Sequence, residues 1–147
     1  MVRRTIIEIG TVLVAALGLG LATKAIHPQA PAWTVVQAPL GDGEILFETI
    51  QTDFDGDVLW VDARTAEHFE RGHIPGAILI NPQDADNLFF AHMDAIQMET
   101  RPIVIYCNSQ ACESSKKIAE YLAFDIGLPH DIFVLKGGWP EWQRLNR

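Results

Sequence analysis

The stretch Pro102-Ile-Val-Ile-Tyr-Cys107 constrains the fold more than any other part of the chain. After the opening proline it is apolar at every position and rich in β-branched residues, and it closes on the polar loop Asn108-Ser109-Gln110. Such a run has no face to give to water, so it reads as a strand covered on both sides, as in the middle of a parallel sheet. From Glu113 to Ile126 apolar residues recur at Ile118, Leu122 and Ile126, and the pattern stops at Gly127, which predicts an amphipathic helix. A buried strand, a short loop and a helix in that order form one half of a parallel α/β unit.

The neighbouring segments repeat the alternation. Val58–Ala63 (VLWVDA), Ala77–Ile80 (AILI) and Asp131–Leu135 (DIFVL) read as strands, and residues 45–50 as a helical turn or short strand. Thr65–Gly72 predicts a short helix, with Thr65 as its cap, acidic Glu67 in the first turn and Gly72 as its stop. Asp86–Glu99 predicts a longer one with Leu88, Ala91, Ala95 and Met98 on its buried face. Gly137 and Gly138 precede a terminal helix with Pro140 in its first turn. With 48% hydrophobic and 20% charged residues in 147, the chain supplies one ordinary domain core over residues 44–147.

The N-terminus is of a different kind. Residues 5–22 are apolar except for Glu8, follow Arg3 and Arg4, and precede Lys24. Eighteen helical residues reach about 27 Å, enough for a hydrocarbon core with Glu8 near the headgroups. Residues 1–25 therefore read as an uncleaved membrane anchor, with a signal peptide as the alternative because the uncharged part is short and ends on small residues. The basic residues before the span place the domain outside, on the periplasmic side of an inner membrane. Residues 26–43 form a linker interrupted by Pro28, Pro31 and Pro39, in which Trp33, Val35 and Val36 predict an edge strand. The whole chain carries a formal charge of -8; beyond residue 24 there are eight basic against eighteen acidic residues, which argues against nucleic acid as a partner.

Two cysteines, Cys107 and Cys112, are too few for a disulfide framework, and His27, His68, His92 and His130 share no metal-ligand spacing, so neither metal nor cofactor is expected. Cys107 closes the best strand, and in parallel α/β sheets ligands bind at the carboxyl ends of strands. A loop curling from there into a helix N-terminus turns backbone N–H groups inward, where they stabilise a thiolate. On position alone a small core cysteine is an equal alternative. The loop Asn108-Ser109-Gln110-Ala111 favours the nucleophile, since small and polar residues make a poor core and an open cradle.

Three segments, VDARTAEHFERGHIPGAILI (61–80), VIYCNSQACESSKKIAEYL (104–122) and VLKGGWPEW (134–142), resemble in order and spacing the signature segments of rhodanese-like sulfurtransferase domains, over about 90 residues. The resemblance implies a three-layer α/β fold, a mostly parallel sheet flanked by helices, here preceded by the N-terminal hydrophobic helix. It also implies that Cys107 accepts a sulfane sulfur as a persulfide and passes it to a thiol or another nucleophile. Asn108, Ser109, Gln110, Ala111, Cys112 and Glu113 are then the substrate-binding loop, with Lys136 as a nearby cation. Asp62, Arg64 and His73 match the family's structural motifs, and a buried ion pair is the expected role of the first two. The six residues from Cys107 to Cys112 match the sulfurtransferase loop, whereas related phosphatases have one more residue and an arginine where Glu113 stands.

The chain departs from the family in two places. Its loop carries no Arg, Lys or Gly, which, on an acidic domain, argues against efficient turnover of the thiosulfate dianion. Cys112 also stands where a small, polar or basic residue is usual, and is a candidate resolving cysteine: it would attack the Cys107 persulfide, release sulfide and leave a disulfide. The alternative for Cys112 is packing under the helix. The partners expected are thus a small sulfur donor, a thiol acceptor and the membrane. A thiol–disulfide redox module working with a membrane or periplasmic protein, and a non-catalytic persulfide-binding domain, are the competing readings.

Overall fold

The structure is a computed structural model that describes residues 8–10, 12, 16, 39–109 and 113–146. It comprises two compact units, residues 1–38 and 39–147. In the first, Glu8, Ile9, Gly10, Val12 and Ala16 are helical and exposed. The rest of the expected anchor and the strand expected at Trp33, Val35 and Val36 lie outside the described residues. No helix among the described residues is long and apolar enough to cross a membrane.

The second unit is built on five strands: β1 (Glu44–Ile45), β2 (Leu59–Asp62), β3 (Ile78–Leu79), β4 (Ile103–Tyr106) and β5 (Ile132–Leu135). They lie in the order β1-β5-β4-β2-β3, and every pair is parallel. The strand singled out by its unbroken apolar run, β4, is the central one, buried at every position. Alternation sends Ile103, Ile105 and Cys107 to one face of the sheet and Val104 and Tyr106 to the other.

Five helices cover the two faces: α1 (Phe47–Asp53), α2 (Ala66–Arg71), α3 (Ala85–Gln97), α4 (Glu113–Glu120) and α5 (Gly138–Leu145). Phe89 and Ile96 of α3 and Ile118 and Leu122 from α4 and its extension join Leu59, Val61, Ile103 and Ile105 in one core. Ile50 of α1 joins Trp60, Val104, Tyr106 and Leu135 on the opposite side, with Phe69 of α2 and Trp139 and Trp142 of α5 packed against them. This is the expected three-layer arrangement. Residues 45–50 supply both things their sequence suggested, the end of β1 and the start of α1.

Thr65 caps α2 by accepting from the His68 amide at 3.4 Å, and Gly72 ends the helix. The helix expected over Glu113–Ile126 changes pitch on the way. After Glu120 it widens into a π turn, Tyr121–Asp125, in which the Ile126 amide donates to the Tyr121 carbonyl at 2.9 Å. The expected buried face of α3 is displaced. Met98 is 83% exposed, Ala91 and Ala95 face solvent, and Leu88 is half-buried, while Phe89 and Ile96 form the buried stripe with Met93 against it. Both stripes satisfy helical spacing, and the one that carries the larger side chains removes more apolar area from water.

The second compact unit takes in residues from Pro39 onward. The Gly43 carbonyl accepts from the Val134 amide at 2.8 Å and extends the β1–β5 ladder.

Candidate active site

Cys107, Arg64 and the Lys136–Gly138 turn all follow the carboxyl ends of strands, β4, β2 and β5 respectively, so the parallel topology gathers them at one edge of the sheet. Cys107 is 2% exposed and its side chain belongs to the core beneath α3 and α4. Two described polar groups reach its sulfur. The Ser109 carbonyl oxygen lies 3.3 Å from Sγ and the Ser115 hydroxyl 3.5 Å from it. Asn108 and Ser109 are exposed. Gln110, Ala111 and Cys112, on which the expected amide cradle and the resolving thiol depend, lie outside the described residues. Glu113 begins α4 with an 84% exposed side chain, 3.7 Å from the Lys117 ammonium.

The backbone of Cys107 is held from the other side. Trp139, in the first turn of α5, donates its amide to the Cys107 carbonyl at 2.8 Å. Gly138 packs so closely that a Cβ on it would lie 2.3 Å from that carbonyl oxygen, and its φ is +57°. The glycine before the tryptophan is therefore fixed by close approach as well as by a left-handed backbone.

Asp62 and Arg64 form the expected ion pair, with neither side chain more than 3% exposed. The Arg64 Nε donates to both carboxylate oxygens, at 2.9 and 3.0 Å, and Nη2 donates to Oδ2 at 2.6 Å. Nη2 also reaches the Gly72 carbonyl at 2.7 Å, so the pair anchors the start of the Gly72–Ala77 loop. The guanidinium lies over the Trp139 ring at 4.5 Å and the Tyr106 ring at 5.4 Å. Tyr106 completes the frame by accepting from the Ile74 amide at 3.1 Å, and burial pushes its own ionisation far above the usual phenol range. In the same loop Pro75 and Gly76 (φ +80°) occupy the centre of a turn closed by the Ala77 amide on the Ile74 carbonyl at 2.9 Å.

Asp62 shares its face of the sheet with Trp60 and Tyr106, while Cys107 points to the other face. The pair thus orders the site without reaching the sulfur. His73 is exposed, stacked on Phe69 at 3.8 Å and 2.9 Å from the Phe69 carbonyl through Nδ1, a loop-fixing role. Lys136, expected to lend charge to the loop, is occupied elsewhere. Its ammonium donates to the Glu44 carboxylate at 2.9 Å and to the Pro39 carbonyl at 2.7 Å, with 7% of the side chain exposed. The Gly41 amide and Lys136 together hold the Glu44 carboxyl below its ordinary range.

Sequence reasoning missed Ser115 and the seat that Gly138 makes for Cys107. A serine in line with Ile118 and Leu122 on the apolar stripe of α4 was the available signal for the first. For the second, the glycine pair was visible but the surface it meets was not. Among the described residues no group of three or more His, Cys, Asp or Glu side chains is placed to hold a metal ion.

A parallel α/β domain with a cysteine at the end of its central strand, heading a loop into a helix, defines a class of cysteine-centred domains. A sequence model of the rhodanese-like domain matches residues 48–145, and the chain belongs to that family. It is 33% identical over 89 residues to the thiosulfate sulfurtransferase GlpE of Shewanella oneidensis, a match covering 58% of this chain and 76% of the relative. Among solved structures it is similar to the BH2092 protein of Bacillus halodurans, with 26% identity and a TM-score of 0.54 over 70% of this chain and 72% of the other. A rhodanese-related protein of Thermoplasma volcanium shares the fold at 17% identity, with a TM-score of 0.50 over 69% of this chain and 91% of that one.

Proposed function

We propose that this domain is a sulfurtransferase that carries sulfane sulfur on Cys107. The observation that carries the reading is the placement of Cys107 at the carboxyl end of the central strand, in a chain of the rhodanese-like family. In the first half-reaction the Cys107 thiolate attacks the outer sulfur of the donor. The donor's sulfur–sulfur bond breaks, and its inner group leaves with the bonding pair, as sulfite from thiosulfate or as a thiolate from a persulfide. In the second, an acceptor thiolate attacks the outer sulfur of the Cys107 persulfide and the bonding pair returns to Sγ. No external oxidant or reductant is consumed.

The Shewanella relative is named for thiosulfate, but the charge around this loop favours another donor. Lys136 is neutralised by Glu44, Glu113 stands at the start of α4, and the loop has no cation of its own. A dianion gains little there, so a low-molecular-weight persulfide is the preferred donor and a thiol the acceptor. The apolar residues 5–22 between Arg4 and Lys24 support a domain tethered to the inner membrane on its periplasmic side.

Intact-protein mass after incubation with cysteine persulfide, which carries about one negative charge at neutral pH, and separately with the thiosulfate dianion, tests the reading. One added sulfur that is absent in Cys107→Ser, acquired faster from the persulfide, is the expected result. Loss of two hydrogens in the native chain, with no sulfur gained by Cys112→Ser under the same conditions, would make the pair Cys107 and Cys112 a redox module instead. No mass change with either donor would leave a non-catalytic binding domain.

A further inference from the structure

The inner face of α4 and its extension is a stripe of three residues, Ser115, Ile118 and Leu122, none more than 1% exposed. Two of them are aliphatic and pack into the core beneath the sheet. A hydroxyl in the remaining place is costly to bury unless it is used. Its Oγ lies 3.5 Å from the Cys107 sulfur, a hydrogen-bonding distance for an atom as large as sulfur.

The second described group at the sulfur sharpens the point. The Ser109 carbonyl oxygen, at 3.3 Å, can only accept, so its contact is favourable while the sulfur carries a proton and repulsive once the sulfur is an anion. A serine hydroxyl is not limited in that way. It rotates, accepting from a thiol and donating to a thiolate.

We propose that Ser115 is a catalytic residue of this domain, its hydroxyl donating to the Cys107 sulfur whenever that sulfur is anionic. This happens twice in a turnover: when the thiolate attacks the donor, and when Sγ leaves as the sulfane sulfur passes to the acceptor. The proton lost by the thiol goes to solvent; Ser115 keeps its own and only redirects it. The inference rests on the sulfur-transfer reading for its purpose, but not for its test.

Other charges around the site do not change when Ser115 is altered. Asp62 and Arg64 after β2 neutralise each other, Lys136 after β5 is paired with Glu44, and Glu141 of α5 is paired with Arg144. On α4, Glu113 faces Lys117 at 3.7 Å, and Lys116 is exposed.

The test is a thiolate titration by ultraviolet absorbance on the full chain, with the Cys107→Ser protein as the blank that removes the signal of Cys112. A hydrogen bond to a charged group is worth about 1.5–3 kcal/mol, so Ser115→Ala is expected to raise the Cys107 midpoint by about one to two pH units. Ser115→Thr, which keeps the hydroxyl, is expected to titrate like the native protein. An unmoved midpoint in Ser115→Ala overturns the proposal, and so does an equal shift in both variants, which would assign the effect to packing. Because the titration needs no sulfur donor, a domain that shifts as expected yet takes up no sulfur would sink the sulfurtransferase reading and leave the role of Ser115 standing.

Discussion

Replacing Gly138 by alanine probes the close packing of α5 against the backbone of Cys107. The new Cβ would sit 2.3 Å from the Cys107 carbonyl oxygen, 3.2 Å from its carbon and 3.5 Å from its nitrogen. Carbon and oxygen approach comfortably at about 3.3 Å, so α5 and β4 must part by about 1 Å. The Trp139 amide, now 2.8 Å from that oxygen, is then carried out of hydrogen-bonding range. Losing that bond costs about 1 kcal/mol, and holding alanine at a φ of +57° costs about 1–2 kcal/mol more. A total of about 2–3 kcal/mol corresponds to a fall in Tm of about 10 °C for a domain of this size. Activity should suffer more than stability, because moving a nucleophile by about 1 Å can slow a reaction about 100-fold. Gly76→Ala is the internal control: its φ is +80°, yet an added Cβ there meets nothing within 4 Å, so only the backbone cost applies. Thermal unfolding and the rate of sulfur loading, compared between the two variants, decide the matter. If Gly138→Ala behaved like Gly76→Ala in both, the seat on Cys107 would have no energetic meaning.

Two further outcomes follow from the buried and acidic pairs. Asp62→Ala leaves the Arg64 guanidinium buried without its partner, and urea unfolding should register a loss of about 3–5 kcal/mol; the double variant with Arg64→Met should lose less than the sum of the two single changes. Hydrogen bonds from the Arg101 side chain lower Glu99 from 4.5 to about 2, so its contribution to stability is present above pH 4.5 and is lost as the pH falls from there toward 2. Urea midpoints taken across that acid range should fall less steeply in Glu99→Gln than in the native protein, and equal slopes would refute the assignment.

Much of the site's skeleton was legible from residue order. The unbroken apolar run ending at Cys107 identified the central strand because a residue sequence without a polar face must be covered on both sides. Thr65 and Gly72 marked the ends of α2 because capping chemistry is local. The motif residues Asp62 and Arg64 were legible as an ion pair because two positions on the same chain, two apart at a strand end, are held together by the backbone itself.

What failed to appear had a common origin. Helical spacing allowed two neighbouring stripes on α3, and only the packed core chose Phe89 and Ile96 over Ala91, Ala95 and Met98. Lys136 read as a cation for the loop because its partner, Glu44, is 92 residues away in the chain and meets it only through the pairing of β1 with β5.

By itself, then, the sequence determined the layered α/β class and the cysteine that ends the central strand, since periodicity and local motifs report whether a residue is buried and how the backbone turns; the family came from the resemblance of three segments to its signatures. The tertiary structure alone decided which groups touch the sulfur and its backbone: Ser115 from the helix after the loop, and Gly138 and Trp139 from the far end of the chain. The reason is the strand order β1-β5-β4-β2-β3, which sets β5 and the turn after it beside β4 although helix α4 separates them in the chain. Burial is written along a chain, but contact between distant segments is written only in how the sheet is assembled.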